Sequence, residues 1–443
     1  MVGVEQEKTG PYAAGDVLDI VVGEPVHGGW CVARPGAPQA AAEPGGPGES
    51  GQAGRGPVLF IRHALPGERV KAVITQTTAR FARADAVEII QAAPERVSAP
   101  CPYARPGGCG GCDWQHASLP AQREIKAQVI SQQLRRIAGL DRAVTVEALA
   151  GDAAGLGWRT RVRFAVGKDG RAGLYRHRPH EIVRVSDCLI AHRLVTEAGI
   201  TRTSWPGARW VDVAVAPAGG DRAVMVPGRA ATPRFLTQRA AGRDWRVTAS
   251  GFWQVHPGAA DALADAVLAA LGPEPGETAL DLFCGAGLFA GVLASAVGPH
   301  GRVIAVEQDA AAARDAKYNL RLAPWAEVHR GDAAAVLPRI GLSGAAIAVL
   351  DPPRTGVDRD VIQALCAPPG PDGPPAGGSV GSLPQASTAL RRIGYVSCDP
   401  ATLARDIAVF GQHGWRLEDL RAFDAFPMTH HVECLAVLVP QAR

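Results

Sequence analysis

Beyond about residue 261, helix-like stretches alternate with short apolar strand-like runs, and that alternation admits few folds. Residues 302–308, 345–350, 393–398 and 434–439 are of strand length and almost wholly apolar, and residues 278–289 read as strand, glycine turn and helix start. A series of this kind predicts a parallel α/β sheet buried on both faces. The longest apolar run, 278–297, carries Asp281, Gly285, Gly287 and Gly291, so it fits strand, loop and helix better than a membrane span. Ligands of open parallel sheets sit at the carboxyl ends of the strands, so those ends are where chemistry is expected.

The remainder of the 443 residues is too much for one domain and predicts two further pieces. Residues 15–92 read as short strands divided by Gly and Pro, such as 17–22, 58–61 and 69–74 with Pro66-Gly67 between the last two. Their regularity suggests a small oligonucleotide-binding type of barrel, interrupted by a Pro/Gly/Ala/Ser tract at 37–57. Residues 98–116 are rich in Cys and Gly, a polar helix follows at about 119–137, and 158–250 are β-rich, with strands at 160–166 and 181–185. The expected domains are therefore 10–95, 96–250 and 251–443, with a second Pro/Gly tract at 368–384 inserted in the last.

Net charge is +3, which by itself points to no polyanionic partner, and only five of the 46 cations are Lys. Residues 1–15 show neither an apolar core nor a small-residue cleavage pattern, so a cytoplasmic protein with reduced thiols is expected, and no membrane partner. With nine Cys, such thiols are available for metal binding or chemistry.

The run Thr278-Ala-Leu-Asp-Leu-Phe283-Cys-Gly285-Ala-Gly287-Leu-Phe289 brings the backbone near a ligand at a helix amino terminus. The next strand ends in Glu307, 22 residues after Gly285, where an acid accepts the ribose hydroxyls of an adenosine. Asp332, after Gly331, is placed to face an adenine amino group. No glycine stands where the third of a dinucleotide site falls, which favours a cofactor without a pyrophosphate, such as S-adenosylmethionine. The bland alternatives are a solvated strand end for Glu307 and a cap for Asp281.

Residues 345–350 run into Asp351-Pro-Pro-Arg354-Thr-Gly356, and 393–397 run into Cys398-Asp399-Pro400 and a helix at 401–410. Asp399 is placed to cap that helix and Pro400 to open it. Cys398 thus lies at a strand tip beside a helix amino terminus, a setting that lowers a thiol pKa from its usual ~8.5, with Asp399 opposing by like charge. The apolar surroundings of Cys31, Cys284, Cys366 and Cys434 suit packing instead. Glu433 opens the last apolar strand, an odd place for an unused carboxylate. His430 and His431, adjacent on an extended segment, point to opposite faces and are read as structural.

Cys101, Cys109 and Cys112 share a glycine-rich loop, and Cys188 follows downstream; four thiolates hold either zinc or a [4Fe–4S] cluster. Trp114 and His116 stand beside them, available either for stacking on bases or for core packing.

Taken together, Asp281-Leu-Phe-Cys-Gly-Ala-Gly287, Asp351-Pro-Pro-Arg-Thr-Gly356, Val396-Ser-Cys-Asp-Pro-Ala-Thr-Leu-Ala-Arg405 and His431-Val-Glu433 resemble the RNA uracil-5 methyltransferase family over nearly the whole chain. The likeness is to its iron–sulfur branch, which modifies ribosomal RNA. It implies a multidomain protein: a class I Rossmann-like methyltransferase domain, an amino-terminal RNA-binding TRAM barrel and a central β-rich cluster domain. It also implies S-adenosylmethionine as cofactor, Cys398 as nucleophile and Glu433 as general base. Gln254, Phe283, Glu307, Asp332 and Asp351 match positions lining the cofactor and substrate pocket. Cys101, Cys109, Cys112 and Cys188 match the ligands of a [4Fe–4S] cluster, although the gap from Cys101 to Cys109 is two residues longer than in the family. The partner implied is RNA, ribosomal rather than transfer RNA, bound by a monomer.

The motifs separate this reading from three rivals. A DNA cytosine-5 methyltransferase carries its Cys directly after the Pro of its fourth motif, and Asp351-Pro-Pro-Arg354 has none there. An amino-group methyltransferase needs an aromatic ring where Arg354 stands. A non-catalytic iron–sulfur RNA-binding factor has no call for both Cys398 and Glu433.

Overall fold

The computed structural model describes residues 11–34, 57–151, 154–177, 181–340, 342, 344–366 and 390–441. The tracts read as loops at 37–57 and 368–384 lie outside the described residues, apart from Pro57, as does most of the amino-terminal stretch 1–15. By its contacts the chain divides into two compact units. One takes residues 1–129, 175–183 and 428–430, and the other 130–174, 184–427 and 431–443.

The first unit is built on a six-stranded sheet. In spatial order its strands are Val17–Val21, Arg69–Thr77, Phe81–Gln91, Val58–Arg62, Trp30–Ala33 and Pro25–Val26. Period-two alternation sends Val70, Ala72 and Ile74, and Ala82, Ala84 and Ala86, to one face, where they form a common core. Trp114, Ala117 and Ile125 complete that core, so the cysteine-bearing loop packs with the sheet, not in a central domain beginning at residue 96. Of the two readings of Trp114 and His116, burial selects core packing: they are 1% and 7% exposed, and neither ring is presented for stacking on a base.

Asp113 anchors the segment 428–430 within this unit. Its Oδ1 accepts from Arg62 Nη2 at 2.9 Å, and its Oδ2 accepts from the His430 backbone N–H and faces His430 Nδ1 at 2.6 Å. Burial works to raise the Asp113 carboxyl, but His430 and Arg62 together hold it well below the usual carboxylate range. His430 is structural here, as its position in the sequence suggested.

The second unit contains a β-rich part and an α/β part. Arg161–Val166, Trp210–Ala216 and Asp221–Met225 pair antiparallel, and Phe235–Ala240 forms a hairpin with Arg243–Thr248. The strand expected at 181–185 is only Ile182–Val183. The α/β part holds an eight-stranded sheet in the order Ala326–Arg330, Arg302–Glu307, Thr278–Leu282, Ala345–Leu350, Arg392–Ser397, Glu433–Pro440, Trp415–Asp424 and Val146–Ala148. The first five strands are parallel, and Glu433–Pro440 runs against both its neighbours. All six residues of Ala345–Leu350 are buried, which is why this strand reads as an unbroken apolar run and not as an alternation. Val146–Ala148 joins the far edge, parallel to Trp415–Asp424, so part of the segment expected in a central domain belongs to this sheet.

Candidate active site

Strand Thr278–Leu282 leads into a turn that needs left-handed backbone at three of five positions: Phe283 at φ 66°, Gly285 at φ 55° and Gly287 at φ 90°. Glycine takes that region freely, whereas at Phe283 it costs on the order of 1–3 kcal/mol, a strain of the kind found at ligand sites. Asp281 and Glu307 hold the turn in place. Asp281 Oδ2 accepts from Ala290 N at 2.6 Å in helix Leu288–Val297, while Glu307 Oε2 accepts from Gly285 N at 2.8 Å and its Oε1 from Asp309 N at 2.7 Å. The cap alternative for Asp281 is thus realised. Asp332 caps helix Ala333–Ile340 through Oδ1, which accepts from Ala334 N at 3.0 Å and Ala335 N at 3.3 Å. Its other oxygen is not part of the cap.

Acid groups are crowded at these strand ends. Burial pushes the Asp281 carboxyl up to about 8, against the Ala290 N–H, with the charges of Asp351 and Glu307 adding to the rise. Asp351 is pushed to about 7 by burial and by Glu307. Asp281 Oδ1 is buried with no hydrogen-bond partner among the described residues, and the Gln254 side chain is buried as well. A cluster of under-ionised carboxylates with an orphaned oxygen is suited to a ligand that brings positive charge and hydrogen-bond donors. The residues present therefore fit a cationic nucleoside such as S-adenosylmethionine, with Gln254, Phe283, Gly285, Gly287, Glu307, Asp332 and Asp351 available to hold it.

The reactive pair is set by strand register. Ser397 lies opposite Cys434 in the antiparallel pair Arg392–Ser397 and Glu433–Pro440, and Cys398 and Glu433 are the residues next to that last pair. Asp399 caps helix Pro400–Gln412 as expected, its Oδ1 accepting from Ala401 N at 3.0 Å and Thr402 N at 2.9 Å. The setting does not lower the thiol pKa, contrary to the expectation from a helix amino terminus. Burial pushes Cys398 up to about 11, the nearby Glu433 charge adds to this, and Arg354 opposes both by its charge and a hydrogen bond. Glu433, 4% exposed, is raised well above the usual carboxylate range by burial and then by Asp351, with Arg354 again opposing. Thiol and carboxyl therefore share one electrostatic environment, in which burial opposes the ionisation of both.

Arg354 is the group whose placement the sequence did not disclose. Its Nη2 lies 3.3 Å from His431 Nε2. His431 is thus more than structural filling. It sits two residues before Glu433, so period-two alternation on the extended segment, applied to the pair, would have placed both on one face.

The four cysteines read as cluster ligands are in a different position. Among the described residues no group of three or more His, Cys, Asp or Glu is arranged to hold a metal ion. Cys101, Cys109 and Cys112 are half-buried in their loop, and Cys188 is half-buried too. Their donor chemistry, four thiols, suits a cluster.

A seven-membered run of strands with one reversed near its end, a glycine turn after the first parallel strand and acids at the following strand ends defines a class I methyltransferase. Comparisons with known proteins agree. The model of the tRNA (Uracil-5-)-methyltransferase family matches residues 373–441, and that of protein-L-isoaspartate(D-aspartate) O-methyltransferase matches 259–335. A protein of Streptomyces avermitilis described as an uncharacterized RNA methyltransferase is 42% identical, covering 97% of this chain and 99% of that one. Another so described, from Bifidobacterium longum, is 33% identical, covering 86% and 92%. The crystal structure of Pyrococcus abyssi tRNA (uracil-54, C5)-methyltransferase in complex with S-adenosyl-L-homocysteine superposes with a TM-score of 0.61. It shares 21% identity and covers 86% of this chain and 95% of that chain, which shows a shared fold. The chain belongs to the RNA uracil-5 methyltransferase family, and it is an S-adenosylmethionine-dependent RNA methyltransferase. No helix among the described residues is long and apolar enough to cross a membrane.

Proposed function

We propose that the protein methylates carbon 5 of a uridine in ribosomal RNA, with Cys398 as covalent nucleophile and Glu433 as the base that removes the C5 proton. The observation that supports this reading is that the Glu433 charge acts directly on the Cys398 thiol, at the ends of two paired strands beside the acid cluster. Carbon 5 of uracil is a poor nucleophile until sulfur adds at carbon 6. The Cys398 thiolate makes that bond, and the electron pair of the 5,6 double bond moves into the ring as an enolate with C5 as its nucleophilic carbon. S-adenosylmethionine, when bound, supplies a methyl group on a positively charged sulfonium. Once C5 is methylated, Glu433 takes its proton, the double bond re-forms and Cys398 leaves. Arg354 stands by both groups and favours their ionised forms throughout. In this reading Asp351 holds the uracil edge. The uridine must be unpaired or flipped out for sulfur to reach carbon 6.

Gln254, Phe283, Glu307, Asp332 and the turn at Gly285 and Gly287 form the cofactor side of this reading. Because Asp281 and Asp351 rest near 8 and 7, a cation bound beside them favours their deprotonated forms. Cofactor affinity is therefore expected to rise with pH between about 6 and 8 and then level off, with protons released on binding below that plateau. Calorimetry in buffers of different ionisation enthalpy checks this; binding that is independent of pH and releases no proton would contradict it.

The choice of ribosomal RNA rests on the family branch that the amino-terminal sheet and the cysteine-rich loop resemble, and transfer RNA is the alternative. In that branch Cys101, Cys109, Cys112 and Cys188 hold a [4Fe–4S] cluster, and the protein acts as a cytoplasmic monomer. Protein purified without oxygen is expected to carry about four iron and four sulfide per chain, and Cys112→Ser to lose them; zinc in their place would overturn the cluster assignment. The substrate is tested by offering unmodified ribosomal and transfer RNA to the purified protein and mapping 5-methyluridine by mass. Methylation of transfer RNA alone would move the assignment to the alternative.

A further inference from the structure

Helix Pro400–Gln412 begins two residues after Cys398 and turns one face toward the segment that carries Arg354. Thr402, Arg405 and Asp406 lie three and four apart on that face. Each takes hold of the backbone of a different residue. Thr402 Oγ1 donates to the Arg354 carbonyl at 3.0 Å, Arg405 Nη2 donates to the Thr355 carbonyl at 2.7 Å, and Asp406 Oδ2 accepts from Val357 N at 2.9 Å. Gly356, between them, has φ 84°, and a Cβ there would collide with Arg405, Asp406 and Thr402 together.

Asp406 is the centre of the clasp. It is 1% exposed, and its Oδ2 also accepts from the buried Tyr395 hydroxyl at 2.6 Å, on the strand that ends at Cys398. Its Oδ1 accepts from Arg405 Nε at 2.8 Å. Burying a carboxylate this deeply is costly unless every lone pair is used, and apolar packing would join a helix to a loop at lower cost. What the carboxylate achieves that packing does not is a fixed backbone at residues 354–357. In that segment Arg354 acts on Cys398 through its charge and a hydrogen bond, and on Glu433 through its charge.

We infer that Asp406, with Thr402 and Arg405, is a positioning residue for the nucleophile, clasping the loop so that the Arg354 guanidinium is held at the Cys398 sulfur. The inference rests on Cys398 being the nucleophile, and none of the three clasp residues touches the reacting atoms.

The test uses the full chain without RNA or cofactor. Iodoacetamide alkylation of Cys398 is followed between pH 7.5 and 9.5 as a fixed schedule of conditions, about two units around the ordinary thiol value, by mass of the Cys398 peptide. The wild type, Arg354→Ala, Asp406→Asn and Thr402→Val are compared. Removing Arg354 is expected to slow alkylation about tenfold at each pH, equivalent to a thiol one unit weaker as an acid. Asp406→Asn should slow it by most of that factor, and Thr402→Val, which removes a single hydrogen bond, by about twofold to threefold in the same direction. S-adenosylhomocysteine affinity close to that of the wild type shows that a variant is folded, and Thr402→Val decides should Asp406→Asn fail that check. Unchanged alkylation in the folded clasp variants while Arg354→Ala slows it would overturn the inference, and so would unchanged alkylation in Arg354→Ala itself. Because no RNA is present, slowed alkylation in a protein that methylates no uridine would leave the clasp standing and remove the proposed function alone.

Discussion

Cys398→Ala is expected to abolish 5-methyluridine formation, by about 10⁴-fold or more, while leaving cofactor affinity near that of the wild type. The size of the effect follows from the chemistry. Without sulfur at carbon 6 there is no enolate, and no other described residue at these strand ends offers a thiol with access: Cys284 and Cys434 are buried and both are raised well above the ordinary thiol value, first of all by burial. Cofactor binding should survive because the acids at Asp281, Glu307 and Asp351 and the turn at Gly285 do not depend on the thiol. Single-turnover methylation read by mass checks the first part, and titration with S-adenosylhomocysteine the second. Residual methylation within tenfold of the wild type would contradict a covalent route through Cys398.

The second large effect is expected at Glu433, and it differs in kind. Glu433→Gln retains size and one acceptor but cannot take the C5 proton, so turnover should fall by about 10²–10⁴-fold. Addition and methyl transfer precede the step that needs the base. The variant should therefore accumulate RNA joined to protein, visible as a band that survives denaturation, where the wild type shows little. Loss of turnover without such a band would mean that Glu433 serves an earlier step. The same carboxyl gives the sign of the pH dependence. Burial raises it, as it raises Cys398, and both must ionise to act. The rate should climb with pH across the neutral range, in contrast to a reaction limited by an acid with its ordinary low value.

Much of this site can be read from the chain because its parts lie at strand ends. An apolar run that stops at a polar residue announces the carboxyl end of a parallel strand, which is how Asp351, Cys398 and the turn after Asp281 are found. Asp399 and Pro400 announce the helix that follows, and both serve as read, one capping and one opening it. Burial of the two stranded faces makes these signals strong, since a six-residue strand such as Ala345–Leu350 has no polar position to blur them.

What the chain conceals are contacts between residues far apart in sequence, and effects that depend on depth. Asp406 meets Val357 across 49 residues, and Arg354 meets His431 across 77, and no local pattern predicts either. A helix amino terminus beside Cys398 suggests an acidic thiol, yet burial and the facing Glu433 outweigh it. Trp114 and His116, next to a cysteine loop, have the composition of a base-stacking platform, but the indole fills a core that only the folded sheet reveals. Val146–Ala148 is too short to stand out as a strand and belongs to the α/β sheet by its pairing alone.

The central claim is that the sulfur of Cys398 bonds to carbon 6 of the uridine that receives the methyl group. It is tested most directly with RNA in which 5-fluorouridine replaces uridine, incubated with the wild-type protein and S-adenosylmethionine. Fluorine at C5 cannot be removed by Glu433, so the account predicts a stable complex whose digestion yields the Cys398 peptide bearing one methylated fluorouridine nucleotide. A complex linked through another residue, or methylated RNA with no linkage to protein, would contradict it.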